Sequence, residues 1–512
     1  MGELIKITCL NNNLSKKYKL GTKLSDIAKD MAIDTKFPII GARVNNKISE
    51  LTYKIYNPKF VEFIDITDVD GFRMYQRSLS FVLMKAVRDC FPEAQLKIEH
   101  SISKGFYCEL IKEPKLSPQE VLDISERMRE IIKSDIRFYR TEIPTTEAIK
   151  KFEKNKLTEK VKLFSNRTTL FTSVYSLDNQ IEYFYGYLVP STGYLKVFDL
   201  IPYHDGMLLR FPSMGNPMEL GEVLEQPKMF EIFREYKEWG EILGVSTIGD
   251  INDMVRNGRG GELIKISEAL HEKKVARIAD LIHKKENVKL ILISGPSSSG
   301  KTTFSKRLAI QLKVLGVNSL PISLDNFFVD RELTPKDPDG EFDFESLYAL
   351  NLDLFNETMN NLIAGKPTTI PSFDFHQGKS YFKNDNKITI PKKTVLIVEG
   401  IHGLNPKLSE YVQDKYKFKI YISALTQIGI DGHNRIPTTD NRLLRRIVRD
   451  NQYRGYTPDE TLGRWQSVRR GEEKNIFPFQ EEADVMFNSA LLYELGVLKK
   501  YADPLLKNVP EN

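Results

Sequence analysis

The spacing of apolar and polar positions changes several times along this chain, and each change marks a new set of elements. Residues 4–10 are strand-like, Asn11, Asn12 and Asn13 turn the chain, residues 24–31 fit a short helix, and residues 42–44 run into the Asn45-Asn46 turn. After Ser117, Pro118 stands at a first helical position and Glu120 three residues beyond the cap, so a helix is predicted there. Val121, Ile124, Met128 and Ile132 then recur at three- and four-residue steps on one face of it. Residues 181–190 and 194–201, rich in aromatic and β-branched side chains, predict strands separated by Ser191-Thr192-Gly193. Residues 218–285 turn predominantly helical, with a break at residues 256–261. From residue 287 short apolar strands (288–295, 394–398, 418–422) alternate with helical segments, the pattern of a parallel α/β sheet covered on both faces.

Length and composition set limits on this picture. A chain of 512 residues exceeds one ordinary core, and 41% apolar with 28% charged residues suits folded domains. The net charge of +5, from 74 basic and 69 acidic side chains, is too dilute to indicate a nucleic-acid face. Cys9, Cys90 and Cys108 are widely spaced, which fits a reducing compartment and excludes a disulfide scaffold or a four-cysteine zinc site. The first residues lack the apolar run of a secretory signal, and no run of 18 apolar residues occurs, so a cytoplasmic protein with no membrane span is expected.

The sharpest chemical signal follows the first of those apolar strands. Gly295-Pro296-Ser297-Ser298-Ser299-Gly300-Lys301-Thr302 fits the G-x-x-x-x-G-K-[ST] phosphate-binding loop at every fixed position, and Thr303 continues it into an amphipathic helix. Small residues let successive amides curve around phosphate oxygens, and the helix N-terminus adds oriented dipoles. Lys301 can neutralise β- and γ-phosphates, and the Thr302 hydroxyl can meet Mg²⁺. ATP and Mg²⁺ are therefore the expected cofactors. A structural glycine turn requires neither the lysine nor the hydroxyl.

Five further tags follow in order: ISLDNFFVDR, DPDGEFDFES, PSFDF, VLIVEGIHGL and RLLRRIVRDNQYRG. With the loop they resemble the uridine kinase and phosphoribulokinase family, most closely its uridine kinase branch, over residues 288–489. The resemblance implies an acid-base role for Asp325 beside the reacting hydroxyl, with a further part in holding the metal. It implies that Glu399 partners the nucleotide's metal alongside Thr302, that Asp343 holds sugar hydroxyls, and that Phe373 lines the nucleoside pocket. It places Arg442, Arg445, Arg446, Arg449 and Arg454 in a lid, Arg446 and Arg449 matching functional arginines that clamp the transferring group and its acceptor. Two positions depart from the pattern: Gly378 stands where the family carries a base-contacting histidine, and Tyr456 replaces the second arginine of an Arg-Gly-Arg tag. Both remove groups that would read a pyrimidine nucleoside.

Residues 1–62 resemble the TGS module, a small β-grasp domain, through YKLGTKLSDIAKDM and ARVNNKISEL. Residues 63–217 resemble the editing domain of threonyl-tRNA synthetases through RSLSFVLMKAV, EHSISKGFYCEL and ISERMREII. Arg77 and Phe81 stand where that domain begins its His-x-x-x-His metal site, so His100 and Cys108 are left without co-ligands. RNA contact, a structural or homo-oligomerising role and binding of a regulatory ligand stay open for this half. The expected organisation is an α/β P-loop kinase with a parallel sheet (287–490), preceded by the β-grasp module, the α+β synthetase-like domain and a helical bridge (218–286), and followed by a tail (491–512). The expected activity is transfer of the ATP γ-phosphoryl group to a nucleoside 5′-hydroxyl. The alternatives are another small hydroxylated acceptor, or an RNA-binding protein of translation that uses ATP as a switch.

Overall fold

The computed structural model of the chain describes residues 4–336, 340–382 and 387–510. Asp337, Pro338 and Asp339 of the DPDGEFDFES tag lie outside the described residues. At the N-terminal end, strands Ser15–Lys19, Leu4–Cys9, Lys59–Ile64, Gly41–Val44 and Lys47–Ser49 form a five-stranded sheet in that order, with Leu4–Cys9 and Lys59–Ile64 parallel. Ile5, Ile7 and Cys9 point to one face, where they pack with Leu24 and Ile27 of helix Leu24–Asp30. The Asn45-Asn46 turn takes the left-handed conformation at both residues (φ 47° and 61°), which links the hairpin of Gly41–Val44 and Lys47–Ser49 tightly.

The synthetase-like domain sets helices Val69–Cys90 and Pro118–Lys133 against an antiparallel sheet of Asp199–Tyr203, Gly206–Arg210, Gly105–Ile111 and Gln95–Ile102. The Ser117 hydroxyl caps the Glu120 amide while the Glu120 carboxylate accepts from the Ser117 amide, and Val121, Ile124, Met128 and Ile132 are buried. Residues 181–201 differ from the two strands expected. The strands there are short, Gln180–Glu182 and Asp199–Tyr203, with a single bridge from Ser191 to Arg137 between them, and Thr192–Tyr194 form a 3₁₀ turn. Phe184, Leu188, Val189 and Leu195 meet the core as single plugs instead of along a ladder, so their apolar character mimics a strand.

Three helices follow, Pro227–Leu243, Ile248–Arg256 and Gly260–Lys284. The first joins the two halves. Met229, Ile232 and Tyr236 pack on Leu404, Tyr421 and Met486, while the Phe233 ring stacks on half-buried His100 at 3.8 Å. His100 thus serves as a packing ring.

The C-terminal half is built on an all-parallel sheet in the order Asn318–Ser323, Thr394–Glu399, Leu290–Ser294, Lys417–Ser423, Val485–Asn488. Ile291 and Ile293 face helices Gly260–Lys284 and Lys301–Val314, and Leu290 and Leu292 face helix Leu352–Ile363. A strand covered on both faces needs apolar residues throughout, which is why LILIS shows no alternation. Because the strands are parallel, their C-terminal ends, at Ser294, Ser323, Glu399, Ser423 and Asn488, open on one edge, and the loops that leave them gather there. Past the sheet, the stretch expected as a tail contains helix Glu494–Lys507, whose Glu494 pairs with Arg445 at 2.9 Å.

The halves also meet through residues 424–437, which lead from strand Lys417–Ser423 to helix Thr438–Arg454. Lys160, 2% exposed, holds Glu182 at 2.6 Å and Asp431 at 3.1 Å. Gly432 O accepts from the Ile98 amide at 2.9 Å, Arg435 Nε donates to Glu99 O at 3.0 Å, and Arg73 pairs with Asp440 at 2.6 Å. No helix among the described residues is long and apolar enough to cross a membrane.

Candidate active site

The loop 295–302 turns directly off strand Leu290–Ser294. A Cβ at Gly295 would lie 1.9 Å from Ile422 O, and Gly300 takes φ 87°, so glycine is required at both positions. Among the described residues the side-chain oxygens of Ser298 and Ser299 are buried without hydrogen-bond partners, and Lys301 Nζ turns back on its own loop, donating to Gly295 O at 2.8 Å and Pro296 O at 3.3 Å. Orphaned hydroxyls and an ammonium resting on carbonyls are the donor set that a polyphosphate would satisfy. Burial holds the Lys301 ammonium below the usual lysine range, opposed by Glu399, Glu472, Asp325 and Glu345. Thr303 is exposed on the first turn of helix Lys301–Val314.

Thr302 donates to Glu399 Oε1 at 2.7 Å across the adjacent strand ends. Asp325 follows the next strand in a 3₁₀ turn capped by the Ser323 hydroxyl. Its carboxyl is reachable by water, yet crowding by protein atoms and then the charge of Glu399 push it above the usual carboxylate range, against Lys301 and Arg454. A hydroxyl and two oxygen-bearing acids facing a common space suit a hard divalent cation, which would relieve the repulsion between them.

Aromatic rings join the segments expected to meet the acceptor. Phe328, just past Asp325, meets Phe373 at 5.5 Å and Phe344, next to Asp343, at 6.4 Å. Asp343 Oδ1 accepts from the Glu345 amide at 3.1 Å, and Lys474 approaches its other oxygen at 4.0 Å. Gly378 has a backbone reason for its identity: at φ 69° it closes the hairpin of Ser372–Asp374 and Lys379–Tyr381, and a Cβ there would strike Arg331 at 2.7 Å. Asp374 stabilises the same turn by accepting from the amides of His376 and Gln377.

Helix Thr438–Arg454 brings its arginines to the loop unequally. Arg446 donates to the Ser297 hydroxyl at 2.8 Å and to Asp450 at 3.1 Å, and Arg449 is held on Asp450 at 2.7 Å. Arg442 is buried instead of solvated. It forks onto the fully buried Glu472 and donates to Ser297 O at 3.1 Å, above the ring of buried Trp465. Glu472 in turn accepts from the Ser297 amide at 2.9 Å. Tyr456 keeps to its own helical hairpin, with the Arg464 guanidinium 4.6 Å from its ring centroid.

Glu472, Glu345 and Ser489, whose hydroxyl donates to Ser299 O at 2.5 Å, escape sequence reasoning. The Arg469–Glu472 spacing of three residues has the look of an ordinary surface pair, and a glutamate two places past Asp343 carries no motif.

Residues 290–492 match the Phosphoribulokinase / Uridine kinase family. A uridine kinase of Staphylococcus aureus is 29% identical over 198 residues, 38% of this chain and 86% of that protein. A threonine–tRNA ligase of Clostridium kluyveri is 33% identical over 199 residues in the N-terminal part, 39% of this chain, which thus spans about a third (31%) of the ligase's length. Among solved structures, a possible uridine kinase from Bacillus stearothermophilus aligns at 17% identity over 42% of this chain and 98% of its own, with a TM-score of 0.28. The chain thus joins a C-terminal segment that matches the Phosphoribulokinase / Uridine kinase family to an N-terminal part similar to threonine–tRNA ligases.

Proposed function

We propose that this chain is a cytoplasmic ATP-dependent nucleoside kinase, with uridine the first acceptor to test. The observation that carries the reading is the meeting of the Lys301 loop, the Thr302–Glu399 pair and Asp325 on one sheet edge, flanked by Asp343 and Phe373. Asp325 accepts the proton of the acceptor hydroxyl as its oxygen bonds to the γ-phosphorus and the bridging bond to ADP breaks. A carboxyl raised above its usual range is the better base for that proton. Lys301, Arg446 and Arg449 hold the charge that spreads over the transferring group, and the loop amides orient it in line. Asp343 accepts from sugar hydroxyls, Phe373 packs on the base, and Tyr456 closes over the acceptor when the helical hairpin moves inward. Thr302 and Glu399, with Asp325 nearby, would hold Mg²⁺, which when bound neutralises phosphate charge.

The test is incubation of the purified chain with Mg²⁺-ATP and a panel of nucleosides and other small hydroxylated metabolites, with products identified by mass. Absence of any phosphorylated product would refute the kinase reading. The tRNA-ligase likeness of the N-terminal part favours a second reading, an RNA-binding protein of translation with an ATP-dependent switch. That reading predicts stoichiometric RNA binding without small-molecule product. A homo-oligomerising role for the N-terminal half predicts a dimer or larger assembly in solution scattering.

A further inference from the structure

Glu345 enters the same region two residues past Asp343. Its main chain is fixed at both ends, the amide donating to Asp343 Oδ1 at 3.1 Å and the carbonyl accepting from Asn475 Nδ2 at 2.7 Å. Its side chain runs along Gly471 of helix Pro458–Asn475, where a Cβ would come within 2.8 Å of Glu345 Cβ and 2.9 Å of Cγ. Any larger residue at 471 would displace it.

The carboxyl delivered this way is half-buried and faces charge from four elements. These are Glu472 on helix Pro458–Asn475, Arg446 on helix Thr438–Arg454, Lys301 at the head of its own helix, and Asp343 on the same loop. The buried ring of His402, past strand Thr394–Glu399, lies against the backbone of Glu345 and Ser346. Burial and then Glu472 push the Glu345 carboxyl up to about 7, with Arg446 and Lys301 opposing. Among the described residues its carboxyl oxygens take part in no hydrogen bond or ion pair, so this half-buried acceptor lacks a protein donor.

When ionised the carboxyl repels a phosphate, and Lys301, Arg446 and the loop amides are the donors on that side. What a carboxyl accepts from is an O–H or N–H group, and the neighbouring Asp343 lies on the acceptor side of the site. Deepening the reading of the chain as a kinase, we propose that Glu345 is a specificity-determining residue of the acceptor pocket. It accepts a hydrogen bond from a second hydroxyl or amino group of the phosphoryl acceptor, beside those held by Asp343. With Gly378 and Tyr456 removing donors from the protein, Glu345 moves recognition toward donors carried by the ligand. The favoured acceptors are then those rich in adjacent hydroxyl or amino groups.

The experiment uses the full chain, as wild type, Glu345→Gln and Glu345→Ala, with Mg²⁺-ATP and matched acceptors that differ by one hydroxyl or amino group. Glu345→Ala is expected to raise the acceptor KM about tenfold or more, because a hydrogen bond to a charged group is lost. The KM for ATP stays within about twofold, Glu345→Gln is intermediate, and discrimination between matched acceptors shrinks. Product formation with an unchanged acceptor KM in both variants overturns this inference alone. So does an equal rise in both KM values accompanied by a lowered Tm, which would mark a structural role. Retained ATP binding with no product from any acceptor overturns the kinase reading, and this inference with it.

Discussion

Replacing Arg442 with methionine tests whether the loop 295–302 depends on a charge pair behind it. Arg442 is 1% exposed and Glu472 fully buried, and the two are joined through both guanidinium nitrogens. Methionine keeps much of the length and the contact with Trp465 but removes the charge, leaving Glu472 with the Ser297 amide at 2.9 Å and Arg469 at 3.2 Å. Stranding one member of a buried pair costs about 3–5 kcal/mol. The two partners that remain place the expectation near the lower end, about 3 kcal/mol. Urea unfolding followed by Trp465 fluorescence in a Trp239→Phe background reports this half of the chain, because the protein has two tryptophans. The double variant Arg442→Met/Glu472→Leu should recover much of the loss, since no unpaired charge is left. A loss below about 1 kcal/mol for Arg442→Met, or a double variant no better than the single, would refute the account.

Asp325→Ala should lower the rate of product formation by about 10²–10⁴ with ATP affinity retained, as measured by mass-resolved product assay and calorimetry; a full rate would remove Asp325 from the chemistry. Gly295→Ala sets a methyl against Ile422 O and should weaken ATP binding by more than about tenfold without unfolding the sheet, whereas unchanged affinity would mean that the loop relaxes freely. Glu345 binds its proton more tightly folded (about 7) than unfolded (ordinary value 4.5), so the chain loses stability as pH rises between those values. Glu345→Gln should therefore be more stable than wild type above pH about 7, by at most about 3 kcal/mol, and nearly equal below 4.5. Parallel Tm-against-pH curves for the two proteins would contradict that sign.

What the chain discloses before its structure is known depends on whether a feature is local. The glycine turn from strand Leu290–Ser294 into helix Lys301–Val314, the Ser117–Glu120 capping box and the apolar strands of the parallel sheet are specified by residues a few positions apart, and they are found as predicted. Residues 181–201 mislead because burial of isolated aromatic rings and strand pairing leave the same composition. Arg442 and Glu472 lie 30 residues apart, on two helices whose crossing decides that neither meets water. The same crossing places Gly471 against Glu345, a relation no spacing rule contains.

The residues 424–437 that lead into the arginine helix carry a consequence for how the halves can be inherited. Lys160 belongs to the N-terminal half and Asp431 to the C-terminal half, and the Lys160 ammonium bridges Glu182 of its own half to Asp431 of the other. A gene fragment encoding the sheet alone would leave Asp431 without its cation, and one encoding the tRNA-ligase-like part alone would leave Lys160 with Glu182 and no second carboxylate. Recombination that exchanged either half for a foreign one would meet that penalty at once. The two halves thus share one buried charge cluster, so a change of sequence on either side of it is felt on the other.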